Sequence, residues 1–118
     1  NRDRYFYARG KVGLNLNLQK HIDWAYNLNE RTFMLAACGI PQLTDRPKLL
    51  SRRLDINNLF VADSPKEYLD LFEYILKNPL EANKRALRSQ KEVFENHTIF
   101  HKAEKYVSDL IKIFPELI

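Results

Sequence analysis

The sequence has few cysteines, few glycines and no long hydrophobic run. Its single cysteine, Cys38, excludes an internal disulfide framework and fits a reducing compartment, so we expect a cytoplasmic protein. The three glycines, Gly10, Gly13 and Gly39, lack the spacing of a G-x-G-x-x-G or Walker phosphate-binding loop. No apolar run is long enough to cross a bilayer. These absences argue against disulfide-stabilised, glycine-loop and membrane-spanning classes of protein.

The length and composition are those of one globular domain. The 118 residues are 45% hydrophobic and 29% charged, which is enough to build a core. The net charge of +4 permits an anionic partner such as a nucleotide, a nucleic acid or a lipid surface. Lysine and arginine are interleaved with glutamate between residues 81 and 95, as on a solvated helix face, so nucleic-acid binding is the weaker alternative. We interpret the chain, which begins at Asn1, as a single domain (residues 1–118) cut from a longer protein.

Hydrophobic periodicity predicts an α/β fold in which short strands alternate with helices. The predicted strands cover residues 12–18, 41–44 and 58–62. The predicted helices cover residues 5–11, 29–38, 47–54, 65–77, 80–94 and 98 onwards. This order predicts a Rossmann-like, partial parallel sheet of about three strands, flanked by helices and followed by a C-terminal pair of helices.

Several helix ends and apolar faces follow from residue type. Asn29 is a good N-cap and Gly39 a good C-terminal stop for the second helix. Ser64, with Glu67 three residues later, has the pattern of a capping box. Apolar stripes are predicted on the first strand (Val12, Leu14, Leu16, Leu18) and on the last three helices (Tyr68, Leu69, Phe72, Ile75, Leu76; Leu80, Leu87, Phe94; Ala103, Tyr106, Val107, Leu110, Ile111, Phe114).

Short motifs in a fixed order carry a family resemblance. They lie at residues 11–17, 29–33, 36–41, 43–45, 63–68 and 97–98. In this order and spacing, the chain resembles the C-terminal, donor-binding domain of GT-B glycosyltransferases, and most closely the CgeB-like branch of the group 1 enzymes. The resemblance implies transfer of a sugar from a nucleotide-sugar donor to an acceptor, with no cofactor besides that donor.

The resemblance also implies that the donor diphosphate lies at the start of the second helix, at Asn29, Glu30 and Arg31. Free backbone N–H groups and the helix dipole favour an anion there. Arg31 lies in the first turn, where its guanidinium can add a charge-assisted hydrogen bond to phosphate. A surface ion pair with Glu30 or Asp23 is the alternative role for Arg31.

Four further residues are second-tier candidates for donor contacts. Asp45 follows a strand, where open α/β sheets place functional groups, although it is equally suited to cap the helix predicted at 47–54. Trp24, Tyr26 and Asn27 lie in a predicted loop. The two aromatic rings are suited either to stack on a nucleotide base or to anchor the loop on the core.

Three positions depart from the pattern of the family. Met34 stands where related enzymes carry a glutamate that holds the ribose hydroxyls, Tyr26 where retaining members carry a second acid, and Lys102 where an arginine is expected. The thioether of methionine is a weak acceptor, so either the nucleotide is bound differently or this copy has lost activity. Glu30 is the one acid near Met34, about one helical turn away.

Other chemistry has less support in the sequence. His21, His97 and His101 lack the spacing of metal ligands, so no metal site is expected. His97 and Thr98 are interpreted as a helix-cap junction, with Thr98 opening the last helix, and His101 is interpreted as facing solvent. Cys38 is either a nucleophile with a lowered pKa or, as we favour, a small residue that lets helix and strand pack closely.

The expected partners are the nucleotide-sugar and, in the parent protein, a preceding acceptor domain that also supplies any catalytic base. The isolated chain is therefore expected to lack turnover. A degenerate, non-catalytic binding or scaffold domain of the same fold is the alternative function. Because a three-stranded sheet leaves its edges open to pairing, we also expect self-association through a sheet edge.

Overall fold

The computed structural model describes residues 2–17 and 28–117. This part of the chain forms three strands: β1 (Gly13–Asn15), β2 (Gln42–Thr44) and β3 (Phe60–Val61). Its α-helices are α1 (Asp3–Ala8), α2 (Glu30–Ala37), α3 (Leu50–Arg53), α4 (Pro65–Lys77), α5 (Pro79–Asn96) and α6 (Ile99–Ile113). Short 3₁₀ turns lie at Ile56–Asn58 and Pro115–Leu117.

The strands of the described chain form one parallel sheet in the order β1-β2-β3. Gly13 pairs with Gln42, and Leu43 pairs with Phe60. The helix α2 lies between β1 and β2, as a parallel crossover requires, and α3 lies between β2 and β3. The predicted α/β class, with a three-stranded parallel sheet, flanking helices and a C-terminal helix pair, is confirmed. The strands are shorter than predicted because only two or three residues of each segment pair with a neighbour.

The strand β1 buries the face opposite to its apolar stripe. Gly13 and Asn15 are buried, whereas Leu14 is 49% exposed and Leu16, just beyond the strand, is 61% exposed. The buried face packs against α2, and a Cβ added at Gly13 would lie 2.7 Å from Cδ2 of Leu35. Of the predicted stripe, Val12 is partly buried against the core, Leu14 and Leu16 are exposed, and Leu18 lies outside the described residues. Within β1 itself, the buried face is therefore the one that carries Gly13 and Asn15.

The helix α5 also buries a different face from the one predicted. Leu80, Leu87 and Phe94 are exposed. The buried positions carry small or short side chains and follow helical spacing: Ala82, Ala86, Ser89 and Val93. Because α5 packs directly against α2, small side chains at the contact allow the two helices to approach closely.

Among the described residues, the core consists of two clusters of buried side chains. One joins α2, α3 and α5 through Leu28, Ala36, Leu50, Leu54, Leu59 and Val93, and the other joins the sheet to α4 and α5 through Leu43, Phe60, Ala62, Ile75 and Ala82. In α4, only Ile75 of the predicted stripe is fully buried, and Leu69 and Leu76 are exposed. The helix α6 has no buried residue, although its predicted position is confirmed. No helix in the described ranges is long and apolar enough to cross a membrane.

Candidate functional site

The start of α2 is capped as its sequence predicts. Oδ1 of Asn29 accepts a hydrogen bond from the backbone N–H of Thr32 at 3.0 Å and from its hydroxyl at 2.9 Å. At the other end, Gly39 adopts a positive φ of 67°, which ends the helix as glycine commonly does. The eight-residue helix is therefore anchored at both ends by the residues that the sequence indicates.

A network of amide side chains fixes this helix start to the sheet. Nδ2 of Asn29 donates to Oδ1 of Asn15 at 2.9 Å and to Oδ1 of Asn17 at 2.8 Å. Nδ2 of Asn15 donates in turn to Oγ1 of Thr32 at 3.0 Å and to Oε1 of Gln42 at 3.1 Å. Because Asn15, Thr32 and Gln42 are buried, these bonds have little competition from water and hold the helix start in one orientation.

Asp45 lies at the carboxyl end of β2 and contacts the segment that follows β1. The backbone N–H of Asn17 donates to Oδ2 of Asp45 at 2.7 Å, and Nδ2 of Asn17 donates to Oδ1. Asp45 does not cap α3, because that helix begins after Leu49 and has no side-chain cap. The capping alternative for Asp45 is therefore wrong, and its carboxylate instead joins the ends of two neighbouring strands.

A cleft of about 980 Å³ lies between the start of α2 and the first turns of α6. Asn29, Glu30 and Phe33 contribute one wall. The remaining lining includes several basic side chains and a few acidic or aromatic ones: Arg53, His97, His101, Lys102, Lys105, Tyr106 and Asp109. Lys105 is paired with Asp109 at 2.7 Å. Basic groups from α3 and α6 thus converge on the N-terminal end of a helix.

Phe33 organises the basic side of this cleft. Its ring centroid lies 5.4 Å from that of His97, with the ring planes tilted by 50°. Nζ of Lys102 lies 5.2 Å from the Phe33 ring centroid, within the range of a cation–π contact. The aromatic ring therefore places one imidazole and one ammonium beside the start of α2.

The position of His101 corrects the expectation that it faces solvent. Thr98 caps α6, accepting from the backbone N–H of His101 at 3.5 Å, and Nδ1 of His101 accepts from the backbone N–H of Thr98 at 3.3 Å. This capping box folds the imidazole back over the helix start, so that His101 is half-buried and lines the cleft. His97, which ends α5, and Thr98 form the helix junction as predicted.

A second cleft, of about 700 Å³, lies at the carboxyl ends of the strands. Arg46 and Asp63 close part of it with a two-pronged ion pair at 2.7 and 3.0 Å, which lowers the pKa of Asp63 and raises that of Arg46. The hydroxyl of Tyr68 donates to the carbonyl of Leu43 at 3.2 Å. Burial, with a smaller contribution from the charge of Asp45, raises the pKa of Tyr68.

The residues expected to contact the donor are distributed over both clefts. Asn29 and Glu30 line the first cleft, and Asp45 lines the second. The side chain of Arg31 is exposed and lines neither. It forms no ion pair with Glu30, and the other proposed partner lies outside the described residues. Three further candidates for donor contacts also lie outside the described residues: Trp24, Tyr26 and Asn27.

Sequence reasoning missed part of the basic wall. Arg53 and Lys105 carry no local signal that connects them to the start of α2, since they are distant from it in the chain. Lys102 had such a signal, because the family pattern places an arginine there. Met34, at the position of the missing glutamate, does not line the first cleft, whereas Glu30 does.

A comparison with known protein families identifies the family of this chain. A family model described as glycosyl transferase-like matches residues 3–108, a span that includes the sheet, the start of α2 and the first turns of α6. No curated protein and no solved structure matches the chain. Since the family match covers most of its length, the chain belongs to the glycosyl transferase-like family.

Proposed function

We propose that this chain is the donor-binding domain of a GT-B glycosyltransferase and that the first cleft holds the diphosphate of a nucleotide-sugar. The observation that carries the proposal is the convergence of the α2 N-terminus with Arg53 and Lys102 around one cleft. A helix start and neighbouring cations are the groups that proteins use to bind phosphate. The CgeB-like branch remains our assignment by sequence resemblance.

In this proposal the protein contributes electrostatics to sugar transfer. Negative charge develops on the diphosphate as the bond to the sugar breaks, and fixed donors nearby stabilise that charge. Asn29 already binds the N–H of Thr32, so the backbone N–H groups of Glu30 and Arg31 are the ones assigned to the diphosphate. Lys102, whose ammonium lies over the ring of Phe33, supplies positive charge beside the start of α2.

We assign Glu30 to the hydroxyl groups of the donor. Its carboxylate lies in the first turn of α2 and lines the cleft, whereas Met34, one turn later, does not. Asp109 also lines the cleft, but it is engaged by Lys105 and Lys112. Glu30 is therefore the acid best placed to take over the hydrogen bonds that a glutamate at position 34 would make.

Titration with UDP, GDP and their sugars, followed by backbone amide NMR, tests the proposal. The largest shifts are expected at residues 29–33 and 97–102. Lys102→Ala is expected to weaken binding about tenfold, since a hydrogen bond to a charged group contributes at least that much. Lys84→Ala is the matched control, because Lys84 is exposed on α5 and lines neither cleft.

Arg31→Ala separates the sequence-based assignment from the cleft-based one. A loss of affinity similar to that of Lys102→Ala would support a direct contact between Arg31 and the diphosphate. Unchanged affinity would assign the phosphate to the backbone N–H groups and the cleft lysines.

The alternative of a non-catalytic scaffold domain has one specific observation in its favour, the absence of the family glutamate at Met34. Failure of every nucleotide and nucleotide-sugar to shift any amide would favour the scaffold. Binding to DNA or RNA that weakens steeply with salt would instead favour a nucleic-acid partner. Under the glycosyltransferase proposal, the acceptor is bound by a domain that precedes this one.

A further inference from the structure

We propose that His101 binds the donor diphosphate through its Nε2–H, with the orientation of the ring set by the cap of α6. The inference rests on the proposed function of the first cleft and adds to it a specific hydrogen-bond donor. The sequence analysis placed the side chain of His101 on the solvent-facing side of its helix.

The capping box engages one ring nitrogen of His101, Nδ1, and leaves the other, Nε2, without a partner in the cap. The backbone N–H of Thr98 points to Nδ1 of His101 at 3.3 Å, and a nitrogen that accepts this bond holds no proton of its own. Oγ1 of Thr98 lies 2.7 Å from the same nitrogen and accepts from the His101 backbone. With Nδ1 as the acceptor in the cap, the N–H of the ring is on Nε2.

The same geometry directs Nε2 away from the helix backbone. Nδ1 is turned towards the first turn of α6, and Nε2 lies on the other side of the ring. His101 lines the first cleft together with Lys102 and the start of α2. Nε2–H is therefore the ring group left to a ligand, and phosphate oxygens accept such a bond. The neighbouring imidazole, His97, is instead packed against the ring of Phe33.

The choice of histidine at this position fits both tasks. Glutamate or glutamine is the usual third residue of a capping box. Glutamate would cap the helix equally well but would place a negative charge on the wall of the cleft. Histidine supplies the acceptor that the cap needs and still presents a donor to the ligand.

Ring-nitrogen NMR of the labelled chain tests the tautomer and the contact together. Without ligand, His101 is expected in the Nε2–H tautomer. Saturating UDP is expected to shift its ring resonances. Two results would overturn the role of His101 and leave the proposed function intact. One is a predominant Nδ1–H tautomer, and the other is that UDP shifts the amides of residues 29–33 but leaves the ring resonances of His101 unchanged. No amide response to UDP would overturn both.

Three variants separate ligand binding from helix capping. His101→Ala is expected to weaken UDP binding about tenfold. His101→Gln, which can both cap and donate, is expected to bind within about threefold of the unmodified chain. Thr98→Ala removes the cap but keeps the imidazole, so it should lower the melting temperature with a smaller loss of affinity than His101→Ala. Equal losses of affinity in Thr98→Ala and His101→Ala would assign His101 a purely structural role. Failure of glutamine, which both caps and donates, to restore affinity would overturn the proposed hydrogen bond to the diphosphate.

Discussion

At the scale of single residues, Asn29 connects three parts of the proposed site. Its side-chain oxygen, Oδ1, caps α2 by accepting from the N–H of Thr32. Its side-chain nitrogen, Nδ2, donates to Asn15 and Asn17 near the end of β1. Asn17 also binds Asp45, so the chain of contacts reaches β2. One side chain thus couples the orientation of a helix start to the carboxyl edge of the sheet.

Replacing Asn29 with alanine is expected to lower the free energy of unfolding by about 1–3 kcal/mol. The helix loses its N-cap, and the buried amide of Asn15 loses a partner. Asn29→Asp, which keeps the capping acceptor but not the two donors, should have an intermediate effect. Urea unfolding followed by circular dichroism measures both changes.

The control for Asn29 is Asn83→Ala, at an exposed position on α5. We expect it to leave stability within about 0.5 kcal/mol of the unmodified chain. Equal destabilisation by the two alanines would contradict a special structural role for Asn29.

The reactivity of Cys38 provides a second prediction at this scale. Burial raises the pKa of the thiol, so its thiolate forms at higher pH than that of an exposed cysteine. Alkylation by iodoacetamide, measured against pH, is expected to be slow near pH 8 and to show an inflection above that of a cysteine peptide. Unfolding in urea should restore the rate of the peptide. An inflection below that of the peptide would support the alternative role as a nucleophile.

At the scale of helices and strands, small residues decide which face is buried. Gly13 lets α2 lie close to β1, and Ala82, Ala86 and Ser89 let α5 pack closely in the core. Large apolar side chains on the opposite faces are left exposed. Close approach of backbones gains many dispersion contacts, which compensates for the small area of each side chain.

Neighbouring positions on α5 test this assignment of faces. Ala86→Leu is expected to destabilise the chain by about 1–3 kcal/mol, because Ala86 is only 1% exposed and extra methylenes overpack the contact. Leu87→Ala, at a residue that is 60% exposed, is expected to change stability by less than about 0.5 kcal/mol. Thermal and urea unfolding measure both. The reverse order of effects would indicate that α5 buries the face predicted from the sequence, which carries Leu80, Leu87 and Phe94.

At the scale of the whole molecule, the described chain leaves apolar surface and sheet edges uncovered. The outer strands β1 and β3 each have one neighbour. Leu14 is exposed on β1, and Phe100, Tyr106 and Ile113 are exposed on α6. Parallel sheets are normally covered on both faces and blunted at their edges, so these features favour association.

We therefore expect the apparent mass in light scattering to rise with concentration above the 14.0 kDa of one chain. Leu14→Lys should reduce this rise, because a charged side chain on an outer strand opposes strand pairing. Leu87→Lys is the control, since it adds the same charge to an exposed site on a helix. A constant mass of one chain across concentrations would contradict the prediction.

Sequence alone determined the α/β class, the parallel order of the elements and most helix ends. Caps at Asn29, Ser64 and Thr98 could be predicted because each depends on one side chain and an N–H three residues later. The backbone partner of Glu67 could not be predicted exactly. The carboxylate of Glu67 accepts from the N–H of Asp63, whereas a capping box predicts the N–H of Ser64. Local chemistry of this kind acts within one helical turn and needs no knowledge of the fold.

Only the tertiary structure decided which faces are buried and which side chains share a cleft. Asn15 is buried despite its polarity because Thr32 and Gln42, both distant in the chain, satisfy its amide. Arg53 and Lys102 lie beside the start of α2 only because α3 and α6 meet there. Burial and convergence depend on contacts between remote segments, which hydrophobic periodicity within one segment does not specify.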